Sequence, residues 1–251
     1  DCLLSRGLGD VYKRQELNNI CFRYTPDMPY VLDGLDLRIE PGEYIGIVGS
    51  SGCGKSTLMR ILLGFEVPER GSVYYDEREL GQLDLPSLRR RIGVVLQDGK
   101  LFAGDIFSNI TICAPWLTME GAWEAAERAG LAEDIRQMPM GMFTMISEDG
   151  GGISGGQRQR LLIARALASD PGVLLFDEAT SALDNETQGR VVDTLKQMKC
   201  TRLVIAHRLS TIRDCDRILY LEQGRIAEQG TYEKLLHCNG RFAQMAKRQL
   251  L

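Results

Sequence analysis

The apolar residues of this chain fall into short blocks whose spacing switches between strand-like and helix-like periods. Leu17 to Tyr24 and Val31 to Ile39 alternate apolar and polar positions, as antiparallel strands with one solvated face do. Thr25-Pro26-Asp27-Met28-Pro29 joins them. Tyr44-Ile45-Gly46-Ile47-Val48 is apolar without interruption and predicts a strand buried on both faces. Leu58 to Leu63 is apolar at helical spacing and stops at Gly64. Gly71 to Tyr75 predicts another short strand, and Pro86 to Arg91 a helical turn with proline near its start. Val94-Val95-Leu96 predicts a buried strand that delivers Gln97.

From 98 to roughly 170 helical spacing dominates. Asp105 to Ile110 and Thr118 to Gln137 predict helices, the second as one stretch, with Ala122, Ala125, Ala126 and Ala129 in it. Trp116, Trp123 and the Met residues nearby are expected to pack between helices. Ser154-Gly155-Gly156-Gln157 leads into a strong helix over Arg158 to Ala168, which Pro171-Gly172 breaks. Val173-Leu174-Leu175-Phe176 then ends in Asp177-Glu178, and Leu203-Val204-Ile205-Ala206 ends in His207. Three apolar strands thus end in Gln97, Asp177-Glu178 and His207, the edge at which open parallel sheets bind ligands. From Arg217 the tail predicts a hairpin around Gln223-Gly224 and two helical stretches. The fold class is α/β: a parallel-sheet core with an N-terminal antiparallel β subdomain and an inserted helical subdomain over roughly 98–170.

Residues 1–15 do not fit this pattern. They show little periodicity and no initiating Met, and they resemble translated sequencing-adapter read-through. They are expected to be non-native and disordered, with the native beginning lost and the folded domain running over 16–251.

Composition narrows the picture. The 251 residues carry a formal net charge of −4, so no basic field points to nucleic acid. Seven cysteines stand singly with no C-x-x-C pair, which argues against a disulfide framework or zinc site and suits a reducing cytosol. No apolar run approaches the roughly 18 residues of a membrane helix.

The candidate chemistry centres on Gly49-Ser50-Ser51-Gly52-Cys53-Gly54-Lys55-Ser56, followed by Thr57. This is the phosphate-binding pattern G-x-x-x-x-G-K-[ST], and it sits between a predicted strand and a predicted helix, as a P-loop NTPase requires. By composition the bare pattern arises by chance in roughly one chain in a hundred of this length. The glycines let a polyphosphate lie against bare main chain, where N–H groups and the helix N-terminus attract it. Lys55 adds a formal charge, and the Ser56 hydroxyl can ligate Mg²⁺. Ser154-Gly155-Gly156 forms a second helix start with small residues, hence a second anion site. Tyr24, at the end of its strand, is either an aromatic at a sheet edge or a flat surface on which adenine stacks.

Together these residues resemble the nucleotide-binding domains of ABC transporters over essentially 16–251. The motifs that carry the likeness are Gly49–Ser56, Gln97, Ile153-Ser154-Gly155-Gly156-Gln157, Phe176-Asp177-Glu178, Ser181-Ala182-Leu183-Asp184 and His207, in that order. Gln97-Asp98, Leu101 to Ile106, Asn109-Ile110 and Glu148 to Gly151 resemble the exporter branch, in which a transmembrane segment is commonly fused N-terminal to this domain. The resemblance implies an ATPase that uses ATP and Mg²⁺. Glu178 would act as base or positioner of the attacking water, and Gln97 and Asp177 with Ser56 would serve the metal. His207 would donate to the γ-phosphate. Ser154, Gly155, Gly156 and Gln157 would meet the nucleotide of a second copy, with Asp184 at the seam of a head-to-tail dimer holding two ATP. A transmembrane transporter domain would be the other partner, at the cytoplasmic face of a cell membrane, expected to be a bacterial inner membrane.

There are departures from the family pattern. Ile153 replaces a usual Leu, Asp105 a usual Thr, Ser108 a common acidic residue, and Asp149 intrudes between Glu148 and Gly150. They are expected to affect the surface toward the membrane partner and not the phosphate chemistry. Two rival readings are a soluble ABC ATPase acting on ribosomes or DNA, and a subunit whose catalytic site has decayed.

Overall fold

The computed structural model describes residues 14–96, 98–147, 151–177, 189, 191, 194, 198, 200–206 and 208–249. The chain forms two compact units: residues up to Arg89 with those from Cys200 onward, and Arg90–Lys199.

The first unit begins with the expected antiparallel sheet. Strand β1 (Gln15–Phe22) pairs with β2 (Leu32–Ile39) on one side and β4 (Arg70–Tyr75) on the other, and β4 pairs with β5 (Arg78–Glu79). The alternation is not perfect, because Leu17 and Ile20 are both buried although three residues apart. A register shift between them, with Asn19 at φ 50°, is a bulge that turns Ile20 back to the core face. Arg14 and Gln15 belong to this fold, although the sequence pattern places them in the off-pattern stretch. Gln15 pairs with both Ile39 and Tyr75, and the Arg14 amide donates to the Asp76 carboxylate at 2.9 Å. The remainder of that stretch, 1–13, lies outside the described residues.

The same unit holds β3 (Tyr44–Gly49) between two parallel partners, β10 (Thr201–Ile205) and β11 (Arg217–Glu222). Uninterrupted apolar runs become strands covered on both faces, as Ile45, Ile47, Leu203 and Ile205 show. β12 (Arg225–Gly230) returns antiparallel to β11 through the expected turn. Gln223 and Gly224 both have positive φ there, the signature of a two-residue hairpin turn. Helix α1 (Lys55–Leu62) follows β3, and α2 (Leu85–Arg89) precedes the end of this segment. Short helices over Leu209–Ile212, Tyr232–His237 and Arg241–Gln249 complete the unit.

The second unit contains β6 (Ile92–Val95), parallel to β9 (Val173–Asp177), and the helices expected between 98 and 170. These are α3 (Ile106–Thr111), α4 (Met119–Arg128), α5 (Ala132–Gln137) and α6 (Gly155–Leu167). The single helix predicted over Thr118 to Gln137 is in fact two. Gly130, at φ 67°, ends α4, and Leu131 starts a new turn. A two-residue ribbon, β7 (Gly104–Asp105) with β8 (Met145–Ile146), was not legible as strand. The alanines do pack: Ala122, Ala125, Ala126 and Ala129 are buried in a core shared with Ile110, Ile135, Leu161 and Ala164. The expected packing of Trp and Met fails in part. Met142 is buried, but Trp116, Met140 and Met145 are 62%, 59% and 62% exposed.

The swapped residues at 105 and 108 have a plain local role. Asp105 caps α3 by accepting from the Ser108 amide at 2.7 Å, and the Ser108 hydroxyl accepts from the Asp105 amide at 3.2 Å. Exchanging hydroxyl and carboxylate preserves a reciprocal capping box.

Candidate functional site

The phosphate loop is built where β3 ends. Gly49 pairs with Leu221 of β11, and a Cβ at Gly49 would stand 2.3 Å from the Leu221 carbonyl oxygen. Only glycine lets the loop leave the sheet so close to its neighbour. At the other end Gly54 caps α1 at φ 104°, and an added Cβ would lie 2.8 Å from the Val31 carbonyl oxygen. Gly54 has no side chain with which to cap the start of α1. A helix start of this kind, with its dipole and first amides, suits an anion.

Lys55 is buried, and its ammonium donates to the carbonyls of Gly49 at 3.0 Å and Ser50 at 2.9 Å. The side chain thus reaches back across the loop and holds its positive charge at the mouth. Cys53 is buried beneath it, with Sγ 3.9 Å from Lys55 Nζ. Ser50, Ser51, Gly52 and Ser56 are exposed, while Thr57 is buried. A cleft of about 720 Å³ borders the outer side of Ser50 and Ser51, with Tyr220, Glu222, Arg241 and Arg248 among its walls.

Tyr24 is 53% exposed, and its hydroxyl lies 3.1 Å from Thr57 Oγ1 on α1. Phe22 meets the ring edge-on, centroids 5.0 Å apart. The ring is thereby held beside α1 and left half-exposed. The far end of α1 is held just as firmly. Tyr75 donates to the Leu62 carbonyl at 2.9 Å, and Arg89 donates to those of Leu63 and Gly64, each at 2.9 Å. A guanidinium at a helix C-terminus offsets its partial negative charge.

The second unit carries the second helix start. Ser154 and Gly155 are exposed. The Ser154 hydroxyl accepts from the Gln157 amide N–H at 3.2 Å, and Gln157 Oε1 accepts from the Ser154 N–H at 2.9 Å. Gln157 Nε2 donates to Asp134 on α5 at 2.8 Å. Both ends of the Gln157 side chain are therefore occupied within the protein. The sequence reading places it among nucleotide contacts; in this structure it braces Ser154. Among the described residues beyond its chain neighbours, none comes within 4 Å of where a Gly155 Cβ would stand.

Two further groups in this unit were missed by motif reading. Arg165 of α6 donates to the carbonyls of Asn109 and Lys100, both at 2.9 Å, and to Asn109 Oδ1 at 2.6 Å. It stacks over Phe102, 5.1 Å from the ring centroid, and burial pulls its pKa down. Asn109 in turn bonds both backbone groups of Phe102. The segment 100–109 is thus pinned to α6. Arg160 and Asp134 form the other group. An arginine recurring inside an otherwise apolar helix was the available signal.

Asp177 is buried at the last position of β9. Gln97, Glu178, Asp184 and His207 lie outside the described residues. Among the described residues no group of three or more His, Cys, Asp or Glu is assembled to hold a metal. Ser56 in the first unit and Asp177 in the second each carry a hard oxygen donor, the kind that suits Mg²⁺ and not a transition metal.

Comparison with known proteins identifies the family. The family described as "ABC transporter" matches residues 32–181. The leukotoxin translocation ATP-binding protein LktB of Mannheimia glucosida is 46% identical over 236 residues, covering 92% of this chain and 33% of that protein. The alpha-hemolysin translocation ATP-binding protein HlyB of Escherichia coli is 47% identical over 221 residues, covering 87% and 31%. The chain therefore spans about a third of the length of these relatives. A solved structure of a bacterial Atm1-family ABC exporter with ATP bound superposes with a TM-score of 0.92 at 39% identity, over 96% of this chain and 42% of that one. The chain belongs to the ABC transporter family, as an ATP-binding ATPase domain.

Proposed function

We propose that this domain binds ATP with the loop Gly49–Thr57, dimerises head to tail around two ATP molecules, and hydrolyses them to drive export through a membrane domain. The observation that carries the reading is the start of α1: a helix capped by a left-handed glycine, with a buried lysine folded back onto the loop carbonyls. Lys55 exchanges its two carbonyl partners for phosphate oxygens, and the loop amides take the remaining charge. Tyr24 receives the adenine ring.

Bound Mg²⁺ would neutralise charge on the β- and γ-phosphates, held by Ser56 and Asp177 with Gln97 nearby. Glu178 orients the attacking water and accepts its proton, the role that fits a carboxylate directly after a buried strand. His207 donates to the γ-phosphate. Ser154, Gly155 and Gly156 meet the triphosphate of the second copy, with Asp184 at the seam. The nucleotide is then part of the interface and binds the dimer better than the monomer.

The transporter assignment rests on likeness to translocation and exporter proteins. No helix of the described residues is long and apolar enough to cross a membrane. The domain would act at the cytoplasmic face, joined to a membrane-spanning partner. A phosphate-release assay on purified protein tests catalysis: the account predicts ATP-dependent release that Glu178→Gln abolishes. Equal release from both proteins would remove Glu178 from the mechanism.

A further inference from the structure

The start of α6 is braced by a residue that no motif contains. Asp134, on α5, accepts from Gln157 Nε2 at 2.8 Å through Oδ1 and from Arg160 Nη1 at 2.7 Å through Oδ2. Arg160 also reaches the Gly130 carbonyl at 2.8 Å and the Gly156 carbonyl at 3.3 Å. Arg160 and Asp134 are 14% and 26% exposed, so their ion pair is only partly screened.

Geometry fixes what this carboxylate does. A glutamine amide can face either way, and its neighbours decide. Here one neighbour is the Ser154 N–H, which needs an oxygen, and the other is a carboxylate, which needs an N–H. Asp134 therefore selects the amide orientation in which Gln157 Oε1 accepts from Ser154. Arg160, held by the same carboxylate, grips the first turn of α6 at Gly156.

We infer that Asp134 is a positioning residue for the Ser154-Gly155-Gly156 anion site, acting through Gln157 and Arg160. The inference rests on the proposed sandwich and names a residue that would tune it. Removing the carboxylate leaves Gln157 Nε2 without its acceptor and Arg160 without its ion-pair partner, so the Gln157 side chain is held only at its Ser154 end. The helix start then presents a less ordered set of donors to the partner's triphosphate, while the phosphate loop of the same chain is untouched.

The test uses the full chain in a Glu178→Gln background, which holds ATP without turnover. Light scattering gives the ATP concentration for half-maximal dimerisation, fluorescent-nucleotide titration gives binding to the loop, and thermal melting reports folding. Asp134→Ala should raise the half-maximal ATP concentration about tenfold, the loss of a charge-assisted hydrogen bond. Nucleotide binding to dilute monomer should not move. Asp134→Asn, which still offers an oxygen to Gln157, should fall between the two. In a double-mutant cycle, Asp134→Ala should add little on top of Gln157→Ala. If Asp134→Ala dimerises at the parental ATP concentration, or if its cost simply adds to that of Gln157→Ala, the inference is overturned while the sandwich stands. If the Glu178→Gln parent stays monomeric with ATP, the sandwich itself fails and this inference goes with it. Should Asp134→Ala melt early, Asp134→Asn in the same cycle decides the question.

Discussion

Two helices of this protein begin at glycine-containing turns, yet they treat their first amides in opposite ways. At α1 the cap is Gly54 in a left-handed conformation, and no side chain closes the turn. At α6 Ser154 and Gln157 cap each other, with Asp134 and Arg160 behind them. The first start is the proposed seat of a triphosphate. Its support comes from outside the loop, from Tyr24 on Thr57 and from Tyr75 and Arg89 at the far end of α1. The second is finished in advance and offers a fixed surface. Affinity for nucleotide should therefore depend on charge at the first start and on preorganisation at the second.

Several substitutions separate the two. The largest effect should come from Glu178→Gln, which removes the base proposed for the attacking water. Turnover should fall about 1,000-fold with nucleotide binding retained, since general-base catalysis contributes on that order. Phosphate release and fluorescent-nucleotide titration measure the pair. Lys55→Ala should weaken nucleotide binding about 100-fold, from loss of a charged partner of the phosphates. Unchanged affinity would mean that the loop is not the primary site.

Stability should rank the two caps. Gly54→Ala forces a Cβ to within 2.8 Å of a backbone oxygen at φ 104° and should lower the melting temperature clearly. Ser154→Ala loses one cap, about 1 kcal/mol, and should lower it by about 2–4 °C. A larger drop at Ser154 than at Gly54 would reverse the comparison. The smallest effect belongs to Tyr24. Tyr24→Ala should weaken ATP binding about three- to tenfold, a stacking-sized loss. Tyr24→Phe keeps the ring, gives up the Thr57 contact, and should stay within about twofold by the same reasoning. Similar losses for both would tie the effect to the hydroxyl and not to stacking.

Much of this was legible in the sequence because the informative residues are local. Uninterrupted apolar runs mark the strands around β3, and the spacing Gly49–Ser56 carries the loop chemistry by itself. Ser154 reads as an N-cap at the second helix start, and the structure has it accept from the Gln157 amide; the reciprocal bond from Gln157 was not legible. What sequence did not reveal depends on contacts between distant residues. Asp134 reads as one more solvated acid until α5 is packed beside α6. Arg165 reads as an exposed helix charge until it reaches residues 100 and 109. Gly130 sits inside an otherwise helical pattern, and only its φ of 67° makes it a break. Trp116 was misjudged for a related reason: a large apolar side chain at helical spacing is core only if a neighbour covers it, and here none does so fully.

The central claim is that the phosphate loop of one chain and the Ser154 helix of another share a nucleotide. Mixing two disabled variants tests it most directly. Lys55→Ala destroys the loop. Gly155→Asp has space for its side chain but sets a carboxylate in the path of a phosphate. Each should be inactive alone. In a mixed head-to-tail dimer one site carries both defects and the other carries neither, so combining the two proteins should restore phosphate release. A mixture as inactive as its components would place each Ser154 helix on its own chain's nucleotide and contradict the account.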